Sequence, residues 1–328
     1  MGVTVRAARG GRARRWAEAV QGYGFLLPAL AIVVTFQVLP VLYAAFVSLY
    51  DSRIISNLWS PGPFVGFDNY AAVLTNPDFL RSLINTVWYV VMTVPVAIFL
   101  SLLIAALLNR KIAGRDLYRT AYFVPYVTST VSAALVWYWV FQPRVGVGNW
   151  LFGALGLPFQ RWVEEPRGVG TLLGLYFGVA IPDLLTGPSL ALVCIAIIQI
   201  WHALGFDTVI MLAGLTSIPS EQYEAARLDG AGPWALFRQV TVPLLSPTLF
   251  FLVITSTIRA FQAFNWFYVI YSGLVPPDVK VVTIYLYESG FRAYRTGFAS
   301  AVGFILFAIV LTLTIVQMAV ARRRVHYA

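Results

Sequence analysis

The chain has 328 residues, 59% of them hydrophobic and only 11% charged, with a mean hydropathy of +0.76 and a formal net charge of +9. A soluble domain of this size carries about a quarter charged residues. The composition therefore excludes a soluble enzyme or a soluble nucleic-acid binder and indicates an all-α membrane protein.

Residues 1–22 form a basic tail with Arg6, Arg9, Arg12, Arg14 and Arg15, predicted to be partly helical and to lie on the membrane. The first apolar run, about 23–48, exceeds the ~20 residues needed to cross a ~30 Å hydrocarbon core. It lacks a small-x-small cleavage site, so it reads as an uncleaved first span. Loop 51–82 is rich in Pro, Gly, Asn and Trp, with a short helix expected near Tyr70. Further spans are expected at about 83–107, 121–141, 190–216, 247–271 and 298–321, six transmembrane helices in all. Trp137, Tyr138, Trp139 and Trp150 mark an interface, as aromatic belts do. The largest external segment is 142–189, whose prolines argue for turns. Within it, Thr171 to Leu185 is apolar but short and holds Pro182, which suits an external interfacial or re-entrant element.

Charge sets the orientation. The N-terminal tail, the loop with Arg110, Lys111, Arg115 and Arg119, the segment with Arg227 and Arg238, and the tail 322–328 with Arg322, Arg323 and Arg324 fall on one side. The basic residues of the other side (Arg53, Arg81, Arg144, Arg161, Arg167, Lys280, Arg292, Arg295) are matched by as many acids. The side with the excess is cytoplasmic, so both termini face the cytoplasm. The excess charge reads as a topology signal and lipid-headgroup contact, with no nucleic-acid partner. Cys194 is the only cysteine, so no intrachain disulfide and no cysteine metal set exist. His202 and His326 are far apart in the chain and give no metal pair.

The cytoplasmic segment at about 217–246 is short and polar. Ser220 reads as an N-cap, and Glu221 and Glu224 suit the positive end of a helix dipole. Ala225 and Ala226 keep one face thin, so that another protein surface can come close. Gly230 and Gly232 break this helix, and Pro233 fits the first position of a second one. Trp234, Phe237 and Val240 give the second helix an apolar stripe. The spacing is Glu224-Ala-Ala, three residues, Gly230, nine residues, then Val240-Thr241-Val242-Pro243. It resembles the EAA motif of binding-protein-dependent ABC importer permeases, E-A-A, three residues, G, nine residues, I-x-L-P, with two Val replacements.

The resemblance extends further. Phe64-Val-Gly66-Phe-Asp68-Asn69-Tyr70 and Asn85-Thr86 look like the first external loop and second span of the carbohydrate permeases. Arg119-Thr120, Pro125, Trp137, Trp139 and Phe141 look like their third span. Tyr223-Glu-Ala-Ala-x-x-Asp229-Gly-Ala231 is the carbohydrate form of the motif, and the run from Gly297-Phe-Ala-Ser-Ala301 is similar too. The likeness covers roughly residues 23–321 and is nearest in type to maltose- and glycerol-phosphate-transporter permeases; 160–188 departs from the usual short loop.

It implies the type I ABC importer permease fold. Glu224, Ala225, Ala226, Asp229 and Gly230 would dock into a cytoplasmic ATPase. The implied partners are a second homologous permease, two copies of the ATPase and an extracytoplasmic solute-binding protein. The implied setting is a bacterial or archaeal cytoplasmic membrane. The chain has no GxxxxGK[ST] loop, so ATP and Mg belong to the partner ATPase, and this chain is not itself an enzyme and carries no cofactor.

Polar residues at membrane depth face a cavity or each other. Gln199, His202 and Phe206 are spaced 3 and 4, which sets them on one helical face. The resemblance implies that they line the substrate pathway, with Ser256, Arg259 and Gln262 as span-five candidates. Two readings of Arg259 are open: an ion pair with Asp207 between spans four and five, or a free guanidinium that favours an anionic or polyhydroxylated substrate. Trp201, Trp266 and Tyr268 read as packing residues. A self-sufficient secondary carrier is the competing class, but no intramembrane acid cluster for ion coupling is present. A membrane-embedded enzyme would need paired carboxylates or a nucleophile–base pair at one depth, and none is found. A di- or oligosaccharide is the expected substrate, with a glycerol-phosphate-type anion as the alternative.

Overall fold

The computed structural model describes residues 11–53, 62–110, 113–182 and 186–321. The predicted tail 322–328 and the first ten residues lie outside them. Among the described residues all regular structure is helical, with isolated bridges only at Tyr50–Phe64 and Gly168–Ser189. Five helices are long and apolar enough to cross a membrane: Glu18–Val47, Pro77–Leu108, Leu190–Thr216, Ser246–Ile270 and Thr296–Ala321. The pair Leu117–Val127 and Thr130–Val140, bent by 97°, makes a sixth where its two halves are counted as one broken span.

Span one begins inside the predicted tail, as a helix from Gly11 to Val33. It continues through a π turn at Val34–Val38, just before Pro40, which has no N–H to return to Phe36. None of its most apolar window is buried within this chain. It is held at its far end instead. Asn69 Nδ2 donates to the carbonyls of Ser48 (2.8 Å) and Tyr50 (2.9 Å), and the hydroxyls of Ser48 and Tyr70 meet at 2.8 Å. The short helix expected near Tyr70 is Asp68–Leu74.

Span two starts six residues before its predicted position because Asn76 caps it. The Asn76 side chain accepts from the N–H groups of Asp78 (2.9 Å) and Phe79 (3.2 Å), and Pro77 occupies the first turn. This helix is the centre of the bundle and packs along span four and against span five. Its two buried threonines bond back along the helix, Thr86 to the Ser82 carbonyl and Thr93 to the Tyr89 carbonyl, both at 2.7 Å. Asn85 Nδ2 donates to the carbonyls of Pro277 and Lys280, and Thr86 Oγ1 accepts from the Val282 N–H. The motif residues Asn69, Asn85 and Thr86 thus tie loops to the bundle.

Two of the expected spans are broken within their bounds. Span three is not one straight helix over 121–141: Thr128 and Ser129 are both extended (ψ 139° and 129°), and the chain turns between the halves. Span five, expected at 247–271, breaks after Phe261 and resumes at Asn265. The segment 142–189, expected to be external, holds short helices at Val147–Ala154 and Val169–Phe177 with a 3₁₀ turn at Trp162–Glu164.

Candidate functional site

The segment expected to face the cytoplasm as a lever is a helix, Ser220–Leu228, followed by a short helix at Pro233–Leu236 and a π turn at Phe237–Thr241. Ser220 is not the cap: Pro219 holds that position and no side chain caps the helix. The C-terminal end is the better-built one. Gly230 has φ +84°, the Ala231 N–H reaches the Ala226 carbonyl at 2.9 Å, and the Gly230 N–H reaches the Arg227 carbonyl at 3.0 Å. This is a Schellman turn, which requires a residue that tolerates positive φ. Glu224, Ala225, Asp229 and Gly230 are all exposed, Ala226 is half-buried, and Leu228 is 89% exposed. Trp234 stacks on Phe237 at 5.7 Å and is itself exposed. The Tyr223 and Thr241 hydroxyls meet at 3.1 Å and fasten the lever to the segment that leads into span five.

The second cluster sits between spans four and five. One turn apart on span five, Ser256 and Arg259 face Asp207 of span four. Arg259 Nη2 donates to Asp207 Oδ1 at 2.7 Å and to Ser256 Oγ at 2.8 Å, and Ser256 Oγ lies 3.5 Å from Asp207 Oδ2. Asp207 is fully buried (0%) and the Arg259 side chain is 34% exposed. Of the two readings left open by the sequence, the structure gives the ion pair. The same guanidinium lies 5.0 Å from the centre of the Phe206 ring, a cation–π contact.

The aromatic wall of this cluster comes from three spans. The Tyr126 ring lies against Phe206 (5.2 Å) and His202 (5.7 Å), and His202 meets Trp266 edge-on at 5.2 Å. Trp266 Nε1 donates to Gln199 Oε1 at 2.6 Å. Gln199, His202 and Phe206 therefore share one face, as their spacing predicts. Trp201 packs on Trp137 and Tyr268 on Phe264, so both are packing residues. Gln262 is exposed at the break in span five, apart from the others. His202 Nε2 and Arg259 Nε are buried without a hydrogen-bond partner among the described residues. Thr93 and Ala97 of span two close the pocket floor, and the cavity between them and the cluster is about 10 Å³. That is below the ~300 Å³ typical of even small ligand pockets.

Sequence reasoning missed Tyr126, Trp266 as a hydrogen-bond donor, and the floor from span two. Trp266 carried a signal, because a buried indole N–H needs an acceptor. Tyr126 carried none, since ring contacts between spans leave no trace in spacing.

A model of the family described as the binding-protein-dependent transport system inner membrane component matches residues 69–326. The chain belongs to this family. This permease is 32% identical over 314 residues to the trehalose/maltose transport system permease protein MalF of Thermococcus litoralis, covering 94% of this chain and 96% of that one. It is 30% identical over 310 residues to the sn-glycerol-3-phosphate transport system permease protein UgpA of Brucella abortus, covering 93% and 96%. Its fold matches a crystal structure of a bacterial ABC transporter involved in the import of the acidic polysaccharide alginate, with a TM-score of 0.73, 22% identity and coverage of 94% and 99%.

Proposed function

We propose that this permease forms half of the translocation pathway of an ATP-driven importer for a neutral di- or oligosaccharide. The observation that carries the substrate choice is the Asp207–Arg259 pair, which leaves no net charge in the cluster. A free guanidinium would favour an anion; a paired one beside Phe206, Tyr126 and Trp266 suits a sugar, with apolar ring faces and hydroxyl edges. The trehalose/maltose name of one relative agrees with this, and the glycerol-phosphate name of another supplies the competing anion.

In this reading Glu224, Ala225, Ala226, Asp229 and Gly230 dock in a partner ATPase, which binds ATP and Mg and performs the hydrolysis. Two ATPase copies, a second homologous permease and an extracytoplasmic binding protein complete the assembly in a bacterial or archaeal cytoplasmic membrane. Span one, whose most apolar window is unburied within this chain, has surface free for lipid or the second permease. Closure of the ATPases moves the lever as a rigid body, and the Tyr223–Thr241 contact passes that motion to span five. Gln199, His202, Phe206, Ser256 and Arg259 line this half of the pathway; Gln262 joins them at the mouth.

Affinity purification from the native membrane in mild detergent, followed by mass spectrometry, tests the assembly. Recovery of a second permease, an ATPase and a binding protein supports it, and the ligand of that binding protein names the substrate. ATP-dependent uptake of a neutral disaccharide, unaffected by excess glycerol phosphate, supports the substrate. Uptake of the phosphate instead overturns the substrate, and recovery of the chain alone overturns the assembly.

A further inference from the structure

Between Arg167 and Leu190 the chain makes an excursion whose two ends are pinned together. The Val169 N–H donates to the Pro188 carbonyl (3.0 Å), the Gly170 N–H to the Thr186 carbonyl (2.8 Å), and the Leu190 N–H to the Arg167 carbonyl (3.0 Å). Gly168 makes this closure possible: a Cβ there would sit 2.3 Å from the Thr186 carbonyl oxygen. Just before the neck, Arg167 grips the buried Glu165 carboxylate with Nε (2.7 Å) and Nη2 (2.8 Å). The charges at the base are thus spent on each other.

The excursion itself holds no charged residue from Val169 to Pro182. Its helix, Val169–Phe177, ends at Gly178 with φ +69°, and the Val179 N–H returns to the Gly174 carbonyl at 2.8 Å. Most of what it shows is apolar: Phe177 is 69% exposed and Leu175 64%, with Leu173, Tyr176 and Val179 also exposed. Between this helix and the Trp150 helix runs a largely apolar cleft of about 690 Å³, lined by Phe159, Trp162, Leu172, Leu173 and Phe177. Leu190, the first residue of span four, lines the same cleft. The cleft is therefore continuous with the surface of a membrane-spanning helix.

We infer that the 169–182 excursion is a membrane-interface anchor, its helix lying in the headgroup–acyl boundary of the leaflet at the N-terminal end of span four and its cleft taking lipid acyl chain. A helix of nine residues rises about 13 Å, too short to span the bilayer. A contiguous apolar face of this kind marks a protein or membrane contact. A protein-docking patch carries a polar rim with charges; among the described residues the one charge at this cleft is Arg167, at its base and held by Glu165. Tyr176 and Trp150, both exposed, are the residue types that settle at membrane interfaces.

The test uses the complete transporter in lipid vesicles. Phe177→Cys is labelled with a nitrobenzoxadiazole fluorophore; the native Cys194 is buried and stays unlabelled. Arg144→Cys, on an exposed turn, serves as the aqueous reference. Doxyl-phosphatidylcholine in both leaflets is expected to quench the label at 177 several-fold more than the one at 144, and iodide is expected to do the reverse. Val179→Cys gives an independent reading where the first variant fails to fold. Iodide quenching without doxyl quenching at either position overturns the anchor. Iodide quenching that disappears on adding the binding protein overturns it in favour of a protein-docking face. Because lipid in both leaflets carries the quencher, the outcome does not depend on orientation or on the substrate.

Discussion

Removing one partner of the Asp207–Arg259 pair is the perturbation with the largest calculable effect. Asp207 is fully buried, and among the described residues Arg259 Nη2 is its one donor closer than 3 Å; Ser256 lies at 3.5 Å. Unit charges ~4 Å apart at an effective dielectric of ~20 attract by about 4 kcal/mol. Breaking a buried pair from one side costs about 3–5 kcal/mol, because a desolvated charge is left behind. Arg259 is about a third exposed, so water screens part of this, and about 2–3 kcal/mol is expected for Arg259→Ala. Asp207→Asn is expected to cost about 1 kcal/mol, since the cation left behind keeps Phe206 and partial solvation. The double variant Asp207→Asn/Arg259→Ala has no orphan charge and is expected to be more stable than Arg259→Ala alone. At ~2 °C per kcal/mol for a chain of this length, the single Arg variant loses about 5 °C. The assay is thermal unfolding of the purified transporter in detergent, at one scan rate for all variants. If the two single losses simply add in the double variant, the side chains do not interact and the argument for a neutral cluster fails.

Three further outcomes are expected. Gly205 packs its backbone against span three, where an added Cβ would lie 2.8 Å from Tyr126 Cβ and 2.9 Å from the Tyr122 carbonyl; Gly205→Ala should cost about 1–3 kcal/mol, seen as a lower unfolding temperature. Gly230→Ala meets no atom within 4 Å but must hold φ +84°. The strain of about 1 kcal/mol should weaken ATPase binding by roughly fivefold in a titration, while Gly232→Ala, also in open space but at ordinary φ, leaves it unchanged. The Arg167 guanidinium hydrogen-bonded to Glu165 holds that carboxyl below its usual 4.5, and the Arg167 N–H and charge act the same way against the burial. A depressed carboxylate stabilises the fold above its unfolded value, and that contribution is lost as the pH falls through the native one. Protease resistance of the 160–190 segment should therefore hold from about pH 7 to pH 5 and fall below about pH 4; a loss beginning at pH 6 would contradict the assignment.

The spans were legible because about twenty apolar residues have few other fates. Their breaks were not. Val127-Thr128-Ser129-Thr130 keeps the run polar only for a moment, and its Ser/Thr cluster, a turn signal, is submerged in apolar neighbours. The face shared by Gln199, His202 and Phe206 followed from helical spacing alone. The choice between a paired and a free Arg259 could not, since it depends on the register of span five against span four. The lever was legible at Gly230, where the turn demands glycine. It was misread at Ser220, because Pro219 already fixes the start of the helix.

The central claim is that the exposed Ser220–Leu228 helix couples this permease to a partner ATPase, and Glu224→Lys tests it most directly. Glu224 is exposed, so insertion and unfolding temperature should stay at wild-type values. The complex reconstituted in vesicles should lose ATP-dependent uptake together with ATPase binding and substrate-stimulated ATP turnover. A Glu224→Lys transporter that assembles with its ATPase and turns over ATP in response to substrate as the wild type does would contradict the account.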